Sequence, residues 1–295
     1  MRVTERSITN RVLNNLQANL ARSAQLQDQL SSGKQISRPS DSPTGTLTAM
    51  QLRSDTRVNQ QYTRNAEDGQ GWLNQLDSAL GDASTQVNVA RNLTLQGLNQ
   101  GISNADSREA LAIEIDNIKD SLIGLANTKY LDRPVFGGTT AGGTAYSPTG
   151  AYVGNDGQVT RSVGADVKVR VDVNGPDAFG AEGSDTQLFT VLQGISASLR
   201  GNDPTALRDG LNKLDTARNA LTSKVSDVGS RSNRLTNMQG AAESRLLSLK
   251  GQLSDIEDID LPKTIMEVKL QETSYEAALA AGAKVIQPSL IDYLR

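Results

Sequence analysis

Apolar residues at Leu207, Leu211, Leu214, Leu221, Val225, Val228, Leu235, Ala242, Leu246, Leu249, Leu253 and Ile256 recur at steps that are sums of three and four. That period predicts one long helix with a narrow apolar stripe, about 75 Å at 1.5 Å rise per residue. A stripe of that length outruns a compact globule and must lie against other long helices.

The same period recurs earlier in the chain. Leu13, Leu16, Leu20, Ser23, Gln27 and Leu30 predict an amphipathic helix stopped by Gly33. After a loop with Pro39 and Pro43, a second long helix is expected from about Thr44 to Leu98, with Leu47, Val58, Tyr62, Trp72, Leu76, Leu80, Val87 and Leu98 on or beside its stripe. Gly101 to Asp106 reads as a turn, and Leu111, Ile115, Ile118, Leu122 and Leu125 give a shorter third helix. Between about Arg133 and Asp185 the period falls to two. Val163, Val167, Val169, Val171 and Val173 alternate with polar residues as a half-buried strand does, and Gly154-Asn155-Asp156-Gly157 between Tyr152-Val153 and Val159 reads as a hairpin turn. Helix returns with Leu188, Leu192, Ile195 and Leu199, stops at Gly201, and resumes with Asn202 or Asp203 as cap and Pro204 in the first turn.

The long stripe loses register after Ile256. Leu261, Ile265, Val268, Tyr275, Leu279 and Ile286 keep a new phase, and Pro262 sits at the slip, which predicts a break near Asp258 to Pro262. Both chain ends therefore read as detached amphipathic helices. Isolated helices are marginal in water, so both are expected to stay frayed in a lone subunit and to order against neighbouring copies. The assembly interface is expected to be Leu13, Leu16, Leu20 and Leu30 with Ile265, Val268, Tyr275, Leu279, Ile286 and Leu290. Hinges are expected at Gly33, Arg38, Pro39, Ser40, Asp41 and Pro43, and at Pro262.

Composition narrows the chemistry. The 295 residues include no cysteine and no histidine, which removes disulfides, thiolate or imidazole metal sites and His-dependent nucleophiles. Aromatic residues make up 3%, so the packing must be aliphatic and small. A net charge of -3 argues against a phosphate-binding surface, and nucleic acid is not an expected partner. No window approaches the roughly 20 apolar residues of a membrane span, and the Arg-studded stretch from Met1 to Gly33 lacks the apolar core of a secretory signal. Asp255, Glu257, Asp258 and Asp260 lack the spacing of a calcium loop and read as a solvated face. The Asn92-Leu93-Thr94 sequon falls on a predicted helix and reads as chance.

The loop Leu30-Ser31-Ser32-Gly33-Lys34-Gln35-Ile36-Ser37-Arg38-Pro39-Ser40-Asp41-Ser42-Pro43-Thr44-Gly45, directly after an N-terminal amphipathic helix, resembles the corresponding loop of the bacterial flagellin superfamily. Its Arg-Pro-Ser-Asp-x-Pro form is similar to that of the members that join hook to filament; the Asp-Asp-Ala-Ala-Gly run more usual in filament subunits is absent. Val89 to Gln96 with Asn99, Phe136-Gly137-Gly138-Thr139, and Glu272-Thr273-Ser274-Tyr275-Glu276-Ala277-Ala278 through Ser289 to Leu294 also resemble family segments in the same order. So do Tyr152, Gly154, Asn155, Gly157, Gly175, Asp177 and Phe179 of the insert.

The resemblance implies a mainly α fold: an elongated flagellin-like helical rod with coiled-coil N- and C-terminal helices and a small β-rich insert. It implies export through the flagellar type III apparatus without cleavage and a place in the extracellular flagellum, at the hook-filament junction. Implied partners are copies of the chain itself, a neighbouring hook-associated junction protein, flagellin and a flagellar export chaperone; neither membrane nor nucleic acid, and no cofactor, metal or enzymatic activity, is implied. In the family the terminal helices line a central channel, the next domain packs into the tube wall, and the insert faces outward.

The expected divisions are 1–43, terminal helix and hinge loop; 44–132, first part of the rod; 133–185, outer insert; 186–258, second part of the rod; and 259–295, the second terminal helix. An outer insert would make deletion of Ala151 to Phe179 tolerable. The competing readings are flagellin itself, a cytoplasmic coiled-coil signalling hairpin, and a carboxylate hydrolase, for which nothing in the sequence sets two acids across a cleft.

Overall fold

The computed structural model describes the backbone of residues 2–99 and 104–286, and side chains at 7, 10–99 and 104–283. Within these, seven α-helices run in chain order as α1 (Arg2–Ser32), α2 (Pro43–Leu98), α3 (Ala105–Ala126), α4 (Gly175–Phe179), α5 (Leu188–Gly201), α6 (Pro204–Glu257) and α7 (Leu261–Ile286). Two antiparallel pairs of short strands lie between α3 and α4: β1 (Lys129–Tyr130) with β2 (Arg133–Pro134), and β3 (Thr160–Ser162) with β4 (Lys168–Arg170).

The helix ends follow local chemistry. Gly33, at φ +69°, takes the left-handed position that ends α1 and donates its N–H to Gln29 O at 2.8 Å. Ser42 Oγ accepts from Gly45 N at 3.2 Å at the start of α2, with Pro43 in the first turn. Asn104 Oδ1 accepts from Asp106 N to cap α3; of the expected turn before it, residues 100–103 lie outside the described residues. Asn202 takes a left-handed conformation, φ 52°, after α5, and Asp203 Oδ1 accepts from Thr205 N and Ala206 N, so Asn202 ends one helix and Asp203 caps the next. The break expected near Pro262 spans residues 258–260. Asp260 Oδ1 accepts from Lys263 N at 3.2 Å, so Pro262 falls in the first turn of α7, where a missing N–H costs nothing.

The chain forms two compact units, Met1–Val58 with Leu246–Arg295, and Asn59–Arg245. The expected division at 43/44 falls just inside the start of α2 and that at 258/259 in the break after α6, whereas the divisions between the compact units fall inside α2 and α6.

In the central unit, Asn59–Arg245, one core runs through the α2, α3, α5 and α6 portions and the insert. On α6 the long stripe lies inward as read: Leu207, Leu214, Leu221, Val228 and Leu235 are all buried. On α2 the seam differs from the expected one. Of the expected stripe Trp72, Leu76, Leu80 and Val87 are buried but Leu47 and Val58 are exposed, and Ala49, Leu52, Ala66, Leu73, Ala83 and Ala90, outside it, are buried as well. Small residues mark the face where helices approach closely, and a reading keyed to large apolar side chains passes over them. At Gly97 a Cβ would lie 2.4 Å from Leu199 Cδ2.

The insert is less of a sheet, and less of an appendage, than its sequence suggests. Val169 lies in β4, but Val163, Val171 and Val173 continue as extended chain into the core. No hairpin turns at Gly154 to Gly157. Tyr152 bridges back to Tyr146, with Val153 N donating to Ala145 O at 2.9 Å, while Val159 O accepts from Val171 N. Asn155 is the reason: its Oδ1 accepts from Thr139 N at 2.9 Å and from Gly157 N at 3.0 Å, which holds the segment against the 137–139 turn instead.

The insert's inner face is aromatic. Phe136 and Phe179 ring centroids are 5.1 Å apart, as are those of Tyr146 and Phe189 from α5. Burial holds the Tyr146 phenol well above the ordinary tyrosine range and pushes Tyr152 up to about 12. Asn65 Nδ2 donates to Ser162 O at 2.8 Å, Arg161 pairs with Asp68 at 2.5 Å, and Arg231 Nη1 donates to Asp172 O at 2.8 Å. These contacts fasten the insert to α2 and α6, and they weigh against the expectation that the insert adds little to the rod.

Candidate assembly surface

The unit of Met1–Val58 with Leu246–Arg295 carries the residues expected to assemble. Here α1 and α7 lie against each other in antiparallel order. Gln271 Nε2 donates to Asn19 O at 3.1 Å, a Cβ on Gly282 would sit 3.2 Å from Val12 Cγ1, and Lys34 bridges Asp258. The expectation of two detached ends is corrected here, because each end finds the other.

The contact between them is a heptad seam that on α1 keeps Leu16, Ser23 and Leu30 of the expected stripe and takes Val12, Asn19 and Leu26 in place of Leu13, Leu20 and Gln27. Val12, Leu16, Asn19, Ser23, Leu26 and Leu30 are buried or half-buried; on α7 they are matched by Thr264, Val268, Gln271, Tyr275, Ala278 and Gly282. Steps of four and three alternate on both helices. Of the expected interface, Leu16, Leu30, Val268 and Tyr275 lie in this intramolecular seam, whereas Leu13, Leu20, Ile265 and Leu279 are exposed, Leu13 at 52% and Leu279 at 44%. The Ile286 side chain and all of Leu290 lie outside the described residues.

Sequence reasoning missed Leu26, the most buried apolar residue among the described side chains of α1, and the polar and small members of the seam: Asn19, Thr264, Gln271 and Gly282. The available signal was a second stripe one residue over at alternate members, diluted by polar positions. It also passed over Met266 and Leu270 on α7, exposed at 67% and 69% beside Leu261. An apolar surface thus remains on this unit after its two helices have paired.

At the base of the pair, the loop after α1 closes onto the break between α6 and α7. Gln35 N donates to Glu257 O at 2.6 Å, and Ile259 N donates to Gly33 O at 3.1 Å. Lys34 Nζ lies 2.5 Å from Asp258 Oδ1 and 3.6 Å from Glu257 Oε2, and Arg53 Nη2 reaches the same Glu257 oxygen at 2.9 Å. Glu257 is only 3% exposed, a carboxylate retained inside because two cations and a backbone strand meet it. The acidic run at 255–260 is therefore half engaged in ion pairs.

The bond to Asp258 raises Lys34 above the ordinary lysine value, and the bonds from Lys34 and Ser254 hold Asp258 below the ordinary carboxylate value. Within the loop, Asp41 Oδ2 accepts from Ser37 N and from Arg38 N at 2.8 Å, which shapes the Arg38-Pro39-Ser40-Asp41 turn, while Arg38, Pro39 and Ser40 stay exposed. Gly33 and Pro262 stand at helix ends on either side of this clamp.

The bacterial flagellin N-terminal helical region matches residues 3–139, and the bacterial flagellin C-terminal helical region matches residues 211–294. The chain belongs to the bacterial flagellin family. Flagellins are structural proteins of the flagellum, not an enzyme family. Over 277 residues the chain is 26% identical to flagellar hook-associated protein 3 of Escherichia coli (strain K12), spanning 86% of this chain and 87% of that relative. It is 25% identical to the flagellin of Bacillus subtilis (strain 168) over 300 residues, 97% of each. The crystal structure of Bacillus cereus FlgL superposes with a TM-score of 0.61 at 21% identity, covering 69% of this chain and 99% of that one; at that identity the likeness speaks for the flagellin-type fold. Among the described residues, no helix is long and apolar enough to cross a membrane, and no group of three or more metal-ligating side chains could hold an ion.

Proposed function

We propose that this flagellin-family chain is a junction subunit, an adaptor between hook and filament that associates with its own copies through the outer face of its terminal helices. The observation that carries the reading is the apolar surface left on a unit whose helices have already paired: Leu13 and Leu20 on α1, and Leu261, Ile265, Met266, Leu270 and Leu279 on α7. Helices that satisfied themselves inside one chain would turn such residues inward. Exposed apolar surface of this extent on a paired unit marks a place for another surface to pack. Its neighbours in the flagellum are then further copies, another hook-associated protein on one side and flagellin on the other. It reaches that extracellular place by the flagellar export route, with a chaperone covering the same face beforehand.

Similarity to flagellar hook-associated protein 3 supports the junction role over the filament role. The full-length likeness to Bacillus subtilis flagellin favours the alternative, a filament subunit. Polymerisation separates them. The purified chain is expected to stop at a short layer under conditions in which flagellins build long filaments. Cells lacking it are expected to bear bare hooks and to shed unattached filament protein into the medium. Long filaments grown from this chain alone would reverse the assignment.

A further inference from the structure

The β1–β2 hairpin has a two-residue turn, Leu131-Asp132, with φ of 47° and 62°. Both central residues sit in the left-handed region, the combination of a type I′ turn, which Asn-Gly and similar pairs occupy comfortably and a leucine does not. Leu131 gains nothing inside its own chain in return: it is 74% exposed, the most exposed large apolar residue among the described residues. The hairpin beneath it is firmly held. Tyr130 packs on Trp72 at 5.7 Å between ring centroids, and the Arg133 guanidinium stands 5.5 Å over the Trp72 ring. A rigid stem thus presents a strained, solvent-facing apolar tip.

The same central unit has a groove of about 330 Å³ between α5, the start of α6 and the 183–185 loop. Its apolar lining includes Val191, Gly194, Ala206 and Gly210. Gly194 lies in mid-helix with nothing within 4 Å of where a Cβ would stand, so no contact inside the chain accounts for a poor helix former there. The rim carries Asp185, Asp209 and Lys213, a net charge of one negative; Lys129, Asp132 and Arg133 give the hairpin one net positive.

The tip cannot reach this groove in its own chain. Its stem meets α2 at Asp68, through Tyr130, whereas α6 just beyond the groove meets α2 at Arg91, through Asp215. That is about 35 Å along the helix.

We propose that Leu131 of one copy docks in the α5–α6 groove of a second copy of this chain. Knob and groove are different patches well separated on one unit, so the contact is heterologous and repeats into a ring or helical array instead of closing as a pair. The inference rests on the reading of the chain as a self-associating flagellar subunit and names the contact made by its central unit.

The chain has no cysteine of its own, which makes cross-linking specific. Flagella are isolated from cells carrying a mixture of Leu131→Cys and Gly194→Cys chains and oxidised. A covalent dimer is expected from the mixture and from neither variant alone. If the chain is present in the flagella and the mixture gives no dimer, the docking is overturned and the junction reading stands. Absence of the chain from flagella overturns the junction reading, and the docking falls as well if the purified mixture at high concentration also fails to cross-link.

A second pair of variants guards against misfolding. Leu131→Asn suits the left-handed turn and Gly194→Leu suits the helix, so each subunit should melt no lower than the parent while self-association falls at least tenfold. Undiminished association in both would overturn the docking.

Discussion

Lys34 Nζ lies 2.5 Å from Asp258 Oδ1, joining the loop after α1 to the break between α6 and α7 across most of the sequence. Both side chains are more than a third exposed, so solvent screens the pair, and its worth is positional more than energetic. It holds the short backbone pairing of Lys34 with Asp258 in register.

Its pH dependence has two edges. Asp258 is depressed from its ordinary 3.8, so its contribution is complete above that value and is lost as pH falls through the lower folded value. Lys34 is raised from its ordinary 10.5, so its contribution is complete below that value and is lost as pH rises through the higher folded value. Protection factors of the Gln35 and Ile259 amides, corrected for the intrinsic pH dependence of exchange, should therefore be highest between these limits and lower outside both. Asp258→Asn should remove the acid edge and flatten the alkaline edge as well, because the bond to Asp258 is the chief cause that raises Lys34.

Glu257 provides the larger effect. Replacing Arg53 with Met leaves a carboxylate that is 3% exposed with only Lys34 at 3.6 Å. A loss of about 1–3 kcal/mol is expected for a buried charged group deprived of a hydrogen-bond partner. Denaturant unfolding of the variant should show it, and Glu257→Gln in the same background should restore part of the loss.

The α1–α7 seam separates folding from assembly. Leu26→Ala empties a buried position and should cost about 2–5 kcal/mol in the terminal unit. Leu13→Ala, at an exposed site, should stay within about 0.5 kcal/mol of the parent. Incorporation should show the opposite pattern for outward residues: Leu279→Asp leaves the subunit folded and abolishes entry into flagella. Leu16→Asp should fail on both counts, since Leu16 sits half inside the pair. Circular dichroism and immunoblots of isolated flagella distinguish the two classes.

Phe179 and the insert around it belong to the core of the central unit. Phe179→Ala should cost about 3–5 kcal/mol. Deleting Ala151 to Phe179 also removes Val159, Val163, Val169, Val171 and Val173 and should leave a chain that does not melt cooperatively. A sharp, parent-like transition in the deletion would return the insert to the status of an appendage.

Glycines divide by surroundings. Gly97→Ala places a Cβ 2.4 Å from Leu199 and should destabilise the α2–α5 contact, whereas Gly229→Ala meets open space on α6 and should stabilise by about 0.5–1 kcal/mol. Thermal melts of the two variants should move in opposite directions.

The sequence alone determined the helices, because their signals are local: Gly33 at a left-handed stop, Asn104 and Asp203 as caps, and a heptad stripe on α6 that holds from Leu207 to Leu249. It also determined the family, through motifs spread along the chain in order. Tertiary structure decided which face each helix turns to which neighbour. A one-position shift at alternate members of the α1 stripe exchanges Leu13 and Leu20 for Leu26 as the buried residues, and period alone cannot choose between adjacent stripes when both carry leucines. Packing likewise decided that alanines line α2, since close approach rewards small side chains that a hydrophobicity pattern scarcely registers. The β1–β2 turn was hidden for a related reason: Leu131-Asp132 lacks the residues that announce a tight turn, and its shape is imposed by the Tyr130 and Arg133 contacts with Trp72 on either side. Local chemistry is written residue by residue, whereas the choice among faces depends on partners distant in the chain.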